Sequence, residues 1–505
     1  MLHRKRKSTA WAMMLALALV IALLGGCTGS KENAGNNSSP TTTPPKAETT
    51  GTPAPAVETQ KPLDPVTLTW YFRNSEPNNA AAVLKKANEI IQSAINATLD
   101  FKFINPGDYD TKMQLAMSSG EKYDIAFTSS WANNYLNNVS KGAYLPLDDL
   151  LTQYPDLQNL FQQQVWDAVK VGGKIYGVPN NQIMADQPGL WFKKDLVEKY
   201  KLDVASIDSL AKLTDALQTV KTGEPDMAAI FKGIPGTAFR DFTPMVEDFY
   251  IDTKDWTVHD QQAALLDNYK VMRDWYQRGF FPQDIATLKD DLPLMKSGKV
   301  FSRYNRQNPA AQKSIETNYG FEIVNLATGP AVIARGAVQS TLNAISVTSP
   351  NPERAMMLIN LINTNKELFN LLKFGIEGQD YKKLSDNVIE PIKDGFSLPG
   401  WMLGNEFNSY LLASQPADVW EQTKILNDTA TVDPLIGFSF DRTNVENEIA
   451  QLGAITTEYV NTILVNGLAD VDTTFQAMQD KRKAAGMDKV MAEIQKQLDA
   501  WRAAQ

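Results

Sequence analysis

From residue 66 onward, short apolar runs alternate with amphipathic stretches. Residues 66–72 (VTLTWYF) predict a strand. Asn78-Asn79 then opens a stretch in which Ala80, Leu84, Ala87, Ile91 and Ala94 or Ile95 recur on one helical face. LDFKFI at 99–104 predicts a second strand. Asp108 precedes a short helix that ends at Gly120, and YDIAFTSS at 123–130 predicts a third strand. This β-α-β-α-β rhythm predicts a parallel sheet covered by helices, with ligands outside the carboxyl ends of the strands. The rule places Trp70, Arg73 and Asn74 at a rim, together with Trp131 and Asn133.

A second set of similar elements begins near residue 175. Residues 190–200 (LWFKKDLVEKY) lead from strand to helix, and 210–223 read as an amphipathic helix. MAAIFKG is strand-like, and 261–278 predict one helix stopping at Gly279. The stretch 295–310 predicts a short strand with polar and aromatic residues at its exit, and 320–327 another strand. Helices dominate 350–505.

Upstream of residue 66 the pattern changes twice. Residues 3–7 (HRKRK) are basic and 10–24 are apolar; fifteen residues are short for a bilayer-spanning helix of about 20. A charged start and a short apolar core predict an export signal over 1–26. The run ends Leu24-Gly25-Gly26-Cys27, which resembles a bacterial lipobox. Residues 27–65 are then expected to be the lipid-modified Cys27 and a disordered tether, because Ser, Thr, Pro, Asn and Gly offer little surface to bury. Two acyl signals suffice for stable membrane attachment.

Composition narrows the function. The chain has 505 residues, enough for two or three domains, with one cysteine and two histidines. No internal disulfide can form, and no histidine-cysteine metal centre has its material. The formal charge of -9 becomes -13 once the four basic residues of the signal leave. Such a chain is a poor nucleic-acid binder, since backbone phosphates would be repelled. Neither Walker A, G-x-G-x-x-G, H-E-x-x-H nor G-x-S-x-G occurs. A glycosidase needs carboxylates about 5–9 Å apart across the scissile bond. The pairs Asp148-Asp149 and Asp290-Asp291 are sequence neighbours, which do not face each other. No EF-hand run appears, and His259 reads as a surface residue at a helix start. No enzyme activity, metal or cofactor is expected.

Residues 123–151, 174–200, 318–330 and 345–381 carry a family resemblance. They include YDIAFTSSWANNYLNNVSKGAYLPLDDLL, KIYGVPNNQIMADQPGLWFKKDLVEKY, NYGFEIVNLATGP and ISVTSPNPERAMMLINLINTNKELFNLLKFGIEGQDY. In order and spacing the chain resembles extracellular solute-binding lipoproteins of ABC importers. The resemblance is to the carbohydrate-type, maltose-binding-like group, and within it to a Paenibacillus-like Gram-positive subset with a long helical C-terminal region. It implies an α/β, two-lobed periplasmic-binding-protein-like fold of type II. The discontinuous lobes would comprise 66–180 plus 326–375, and 181–325 plus 376–505, with hinge strands near 179–182 and 325–330. It also implies an ABC permease as partner, an extracellular location on a lipid anchor, and a monomer.

The residue chemistry points to a carbohydrate. Sugar C–H faces stack on aromatic rings, and sugar hydroxyls need fixed amide, carboxylate and guanidinium partners. The candidate ligand contacts are Trp70, Arg73 and Asn74; Trp131 and Asn133; Tyr304, Asn305, Arg306 and Gln307; Trp401 and Asn405; and, at strand or turn boundaries, Asp186, Arg240 and Asp252. Trp256, Trp275 and Trp420 are expected in core or peripheral positions. An oligosaccharide is the expected ligand. A peptide or other solute is the alternative, and a secreted carbohydrate-active enzyme the next.

Overall fold

A computed structural model describes residues 63–504, apart from 235, 237 and 289–291. The signal 1–26, Cys27 and nearly all of the tether lie outside the described residues, as does the Asp290-Asp291 pair.

The first lobe is built on strands β1 (Val66–Arg73), β2 (Ala97–Ile104) and β3 (Ile125–Thr128), with helices α1 (Ala80–Ile95) and α2 (Tyr109–Ser119) between them. The sheet order is β2, β1, β3, then Leu342–Ile345, then Val178–Pro179. The first three strands run parallel, as the rhythm requires. Leu342–Ile345 is antiparallel to β3, so the sheet is mixed. This strand returns from the second lobe, enters at the carboxyl ends of β1 and β3, and must run down beside them. Helix α1 buries Ala80, Val83, Ala87, Ile91 and Ile95, close to the face read from the sequence. Asn96 closes it in the left-handed region at φ 44°, a conformation Asn tolerates.

Trp70 is not at the rim. β1 continues three residues past it, between two neighbouring strands, and its ring stacks on Phe101 at 5.1 Å with no exposure. It belongs to the core with Leu68, Phe72 and Ile125.

The second lobe carries a four-stranded sheet in the order Ile323–Ala327, Gln187–Lys193, Val300–Gln307, Ala228–Ile230. Leu190, Phe192, Leu217, Trp275 and Phe301 fill its core, and the Trp275 indole N–H reaches the Thr214 hydroxyl at 2.8 Å. The expected exit residues Tyr304 to Gln307 lie within the strand, which is eight residues long. The helix read over 261–278 is broken at Leu265 into Gln261–Ala264 and Leu266–Gln277. His259 lies in the hairpin strand Thr257–Asp260, stacked on Tyr250 at 4.9 Å, rather than at a helix start.

Residues 376–430 depart from the expected lobe assignment. Ile376, Phe396, Leu398, Met402 and Leu403 join the first lobe's core, and strands Tyr381–Lys383, Val388–Pro391 and Leu411–Leu412 interrupt the helices. Residues 434–503 do attach to the second lobe. Leu435, Phe438, Leu452, Val490, Ile494 and Leu498 pack with Phe249, Ile251 and Val258 of the hairpin.

Trp70→Ala is expected to cost about 3–5 kcal/mol of stability, the usual price of emptying a large core site. Urea unfolding measures it, and ligand affinity per folded molecule should not change.

Candidate ligand-binding cleft

The chain passes between the lobes three times. The first two crossings meet at Asp186 and Val332, whose backbones exchange hydrogen bonds of 2.8 and 3.0 Å. Val332–Ile333 then pairs in parallel with Thr431–Val432, so the third crossing lies near residue 431 rather than at 375–376, where the expected lobe boundaries placed it. The Asn427 amide fixes the first crossing: its oxygen accepts from the Met184 and Ala185 N–H groups, and its nitrogen donates to the Gln182 carbonyl at 2.7 Å.

Asp433, at the end of the third crossing, is buried. Its N–H donates to the Ile333 carbonyl at 2.9 Å, and its carboxylate accepts from the Leu435 N–H at 2.8 Å. Burial raises its pKa, a shift only partly offset by the Leu435 bond.

The first lobe's wall stands at the carboxyl end of β3. The turn after β3 is tied by the Ser129 hydroxyl, which accepts from the Ala132 N–H at 2.8 Å. Asn133 follows at φ 45°, and its N–H is held by the Asp110 carboxylate. This turn projects Trp131, whose side chain stays 49% exposed while its indole N–H donates to the Ser340 carbonyl at 2.9 Å. The Arg73 guanidinium lies 4.8 Å from the Trp131 ring centre. Trp401 and Phe127 sit 6.1 and 6.0 Å from it, tilted rather than stacked. Trp401 is held from below, where its carbonyl accepts from the Asn180 amide, itself bonded to Asn343 at 2.9 Å. Arg73 has a buried Nε with no partner, and no carboxylate among the described residues pairs with it.

The structure therefore brings Arg73, Trp131 and Trp401 together, from 328 residues of sequence separation. Phe127, Asn180, Ser340 and Asn343 complete the wall and were missed, because nothing local distinguishes them from ordinary core or loop residues. Other candidates turn elsewhere. Asn133 is buried, bonding the Phe127 carbonyl and the Tyr144 hydroxyl, and Asn405 caps residues 406–408 and bonds the Asn363 carbonyl. Both are scaffold, since their polar atoms are consumed internally. Asn74 bonds the neighbouring Ser75 carbonyl. Arg240 reaches the Ala264 carbonyl and Asn268 within the second lobe.

In the second lobe, the strand Val300–Gln307 runs toward the first crossing. Arg306 forms an ion pair with Asp186 at the first crossing, and Gln307 is buried against the Leu190 carbonyl at 3.3 Å. Tyr304 packs against the second lobe's core, and Asn305 stands beside it on the same strand. Asp252 is remote from these groups, on the hairpin. With Asp255 and His259 it brings ligand-type atoms within 4.8 Å of one another. Those atoms bond locally: Asp255 to the Thr257 hydroxyl, and Thr257 to His259 Nε2 at 2.7 Å.

Residues 85–292 match the family described as bacterial extracellular solute-binding protein. Over those residues the chain is similar to that family, and its role is that of a substrate-binding protein for an ABC transporter. Residues 434–503 match a domain of unknown function. The chain is 29% identical over 511 residues to a carbohydrate ABC transporter substrate-binding protein of Streptococcus pneumoniae, covering 98% of each. It also resembles the crystal structure of the N-glycan transport solute binding protein of S. pneumoniae, with 28% identity, a TM-score of 0.74, and coverage of 86% of this chain and 98% of that one. Against the same protein in complex with Man5GlcNAc, identity is 28%, coverage 87% and 99%, and the TM-score 0.61. Solute-binding proteins of this fold family transport rather than catalyse.

For this solute-binding protein the hinge makes a pH prediction. A carboxyl with a raised folded pKa stabilises below its unfolded pKa of about 4 and loses that contribution as pH rises through the folded value. Asp433→Asn is expected to gain stability relative to wild type at pH 7, and the gain should shrink toward pH 4. Denaturant titrations at the two pH values check the sign.

Proposed function

We propose that the chain captures an extracellular oligosaccharide between its lobes and delivers it to the membrane subunits of an ABC importer. The observation that carries this reading is the half-exposed Trp131 ring, held by its indole N–H beside Trp401 and under Arg73, at the carboxyl edge of the sheet. A solvent-facing tryptophan with its polar atom already bonded has one thing left to offer, an apolar face, and a pyranose C–H face fits it. The unpaired Arg73 donors are available to hydroxyl oxygens beside that face. The pneumococcal relative's complexes with Man1GlcNAc and Man5GlcNAc favour a neutral glycan containing mannose and N-acetylglucosamine.

Lobe closure about the three crossings would select the bound state by population shift. The LGGC sequence supports export and lipid modification of Cys27, and the polar stretch to residue 65 would tether the folded part outside the cytoplasmic membrane. A Gram-positive, Paenibacillus-like source and a monomeric state complete the proposal.

Calorimetry of residues 63–505 against mannose-containing glycans of increasing size tests it. Binding should raise Tm by mass action. Trp131→Ala should weaken binding at least about tenfold, a loss of about 1.4 kcal/mol, and leave Tm within a few degrees. Shifts with peptides but with no sugar would overturn the carbohydrate reading.

A further inference from the structure

Residues 434–503 have no assigned role, yet they reach the cleft edge of the second lobe. The strand Ala228–Ile230 runs parallel to Val300–Gln307, so its exit lies on the hinge side, level with Arg303 to Arg306. There the Phe231 N–H bonds the Ser302 carbonyl at 2.9 Å, and Arg303 lies 4.9 Å over the Phe231 ring. Further along, the Phe239 N–H bonds the Thr328 carbonyl at 2.6 Å beside the return crossing. Residues 231–234 therefore lie at the hinge-side end of the second lobe's sheet.

This rim is braced from behind. A Cβ added at Gly233 would sit 1.6 Å from the Val465 carbonyl oxygen, so backbone meets backbone with no room for a side chain. Val465 follows a widened helix, Thr456–Leu464, with i→i+5 bonding, and its own N–H bonds the Val460 carbonyl at 3.0 Å. Such widened turns are rare and concentrate at functional sites. Two contacts fix the next turn: the Arg273 guanidinium donates to the Gly467 carbonyl at 2.8 Å, and Gly467 at φ 64° lies against the Met272 carbonyl. The other end of the widened helix is anchored by charge. Arg482, fully buried, pairs with Asp248 and, at 2.8 Å, with Asp260, and it donates to the Thr456 hydroxyl at 3.2 Å. Removing one partner of such a buried set leaves an unpaired charge, so the anchor holds the helix in one place.

We propose that residues 434–503 are a positioning element for ligand: the Val465–Gly467 turn sets the second lobe's rim through Gly233, and so sets how the closed cleft grips its glycan. The inference rests on the oligosaccharide reading above.

The test uses the protein with Man5GlcNAc as probe and two variants. Gly233→Ala forces the rim off Val465, and Arg273→Gln frees the Gly467 turn without touching a core residue. Both are expected to bind at least tenfold more weakly than wild type, with the unliganded Tm of Arg273→Gln within a few degrees. A structural role alone would lower Tm and leave the affinity of the folded fraction intact. If wild type binds and Arg273→Gln binds equally well, the inference falls while the function stands. If wild type binds no glycan of any size, the functional reading itself is overturned.

Discussion

Everything this protein does passes through a narrow set of backbone pairings. Two reciprocal hydrogen bonds join Asp186 to Val332, and a parallel pairing joins Val332–Ile333 to Thr431–Val432. The two main cores lie apart: Trp70, Phe101 and Leu342 in one, Phe192, Trp275 and Phe301 in the other. Hydrophobic burial therefore makes each lobe rigid and leaves their mutual angle to the crossings. That division suits a binding protein. Cores are close-packed and resist deformation, whereas a few extended residues absorb a change of angle at small cost. Asn427 and the Asp186–Arg306 pair limit how freely the first crossing moves.

The same separation explains the character of the ligand wall. Trp131 and Trp401 come from opposite ends of the first lobe's sequence; the Trp131 ring is held by its indole N–H on the Ser340 carbonyl, and Trp401 by packing on the core and by its backbone carbonyl on the Asn180 amide. A ring held as Trp131 is has little rotamer freedom left to lose, which is preorganisation. Arg73 adds charge, and no carboxylate among the described residues pairs with it.

Much of the fold was legible in periodicity. The β1–α1–β2–α2–β3 rhythm gave the parallel core, and the apolar face of α1 was nearly right because a 3.6-residue repeat needs no partner to be read. Trp131, Arg73 and Trp401, picked out as large or charged residues beside turns, come together in the structure. What failed had non-local causes. Trp70 looked like a rim residue, but where β1 ends is decided by its pairing with β2 as far as Arg73 and Ile104. Asn133 and Asn405 looked like sugar contacts, but buried backbone groups claimed their amides first. The placement of 376–430 could not be read, because Met402 and Leu403 are apolar residues that would fit either core.

The second crossing bears on how the chain acquires its shape. The strand Leu342–Ile345 lies inside the first lobe's sheet, between β3 and Val178–Pro179, yet it is reached only after the second lobe's sheet has been threaded. Met402 and Leu403 arrive later still. A chain emerging N-terminus first thus holds β1 to β3 with an open sheet edge for more than two hundred residues of synthesis. Open edges and long-range closures fold slowly and invite mispairing. Maturation of the first lobe has to wait for the second, so a truncation before residue 342 should be read as an unfinished sheet rather than as half of a working protein.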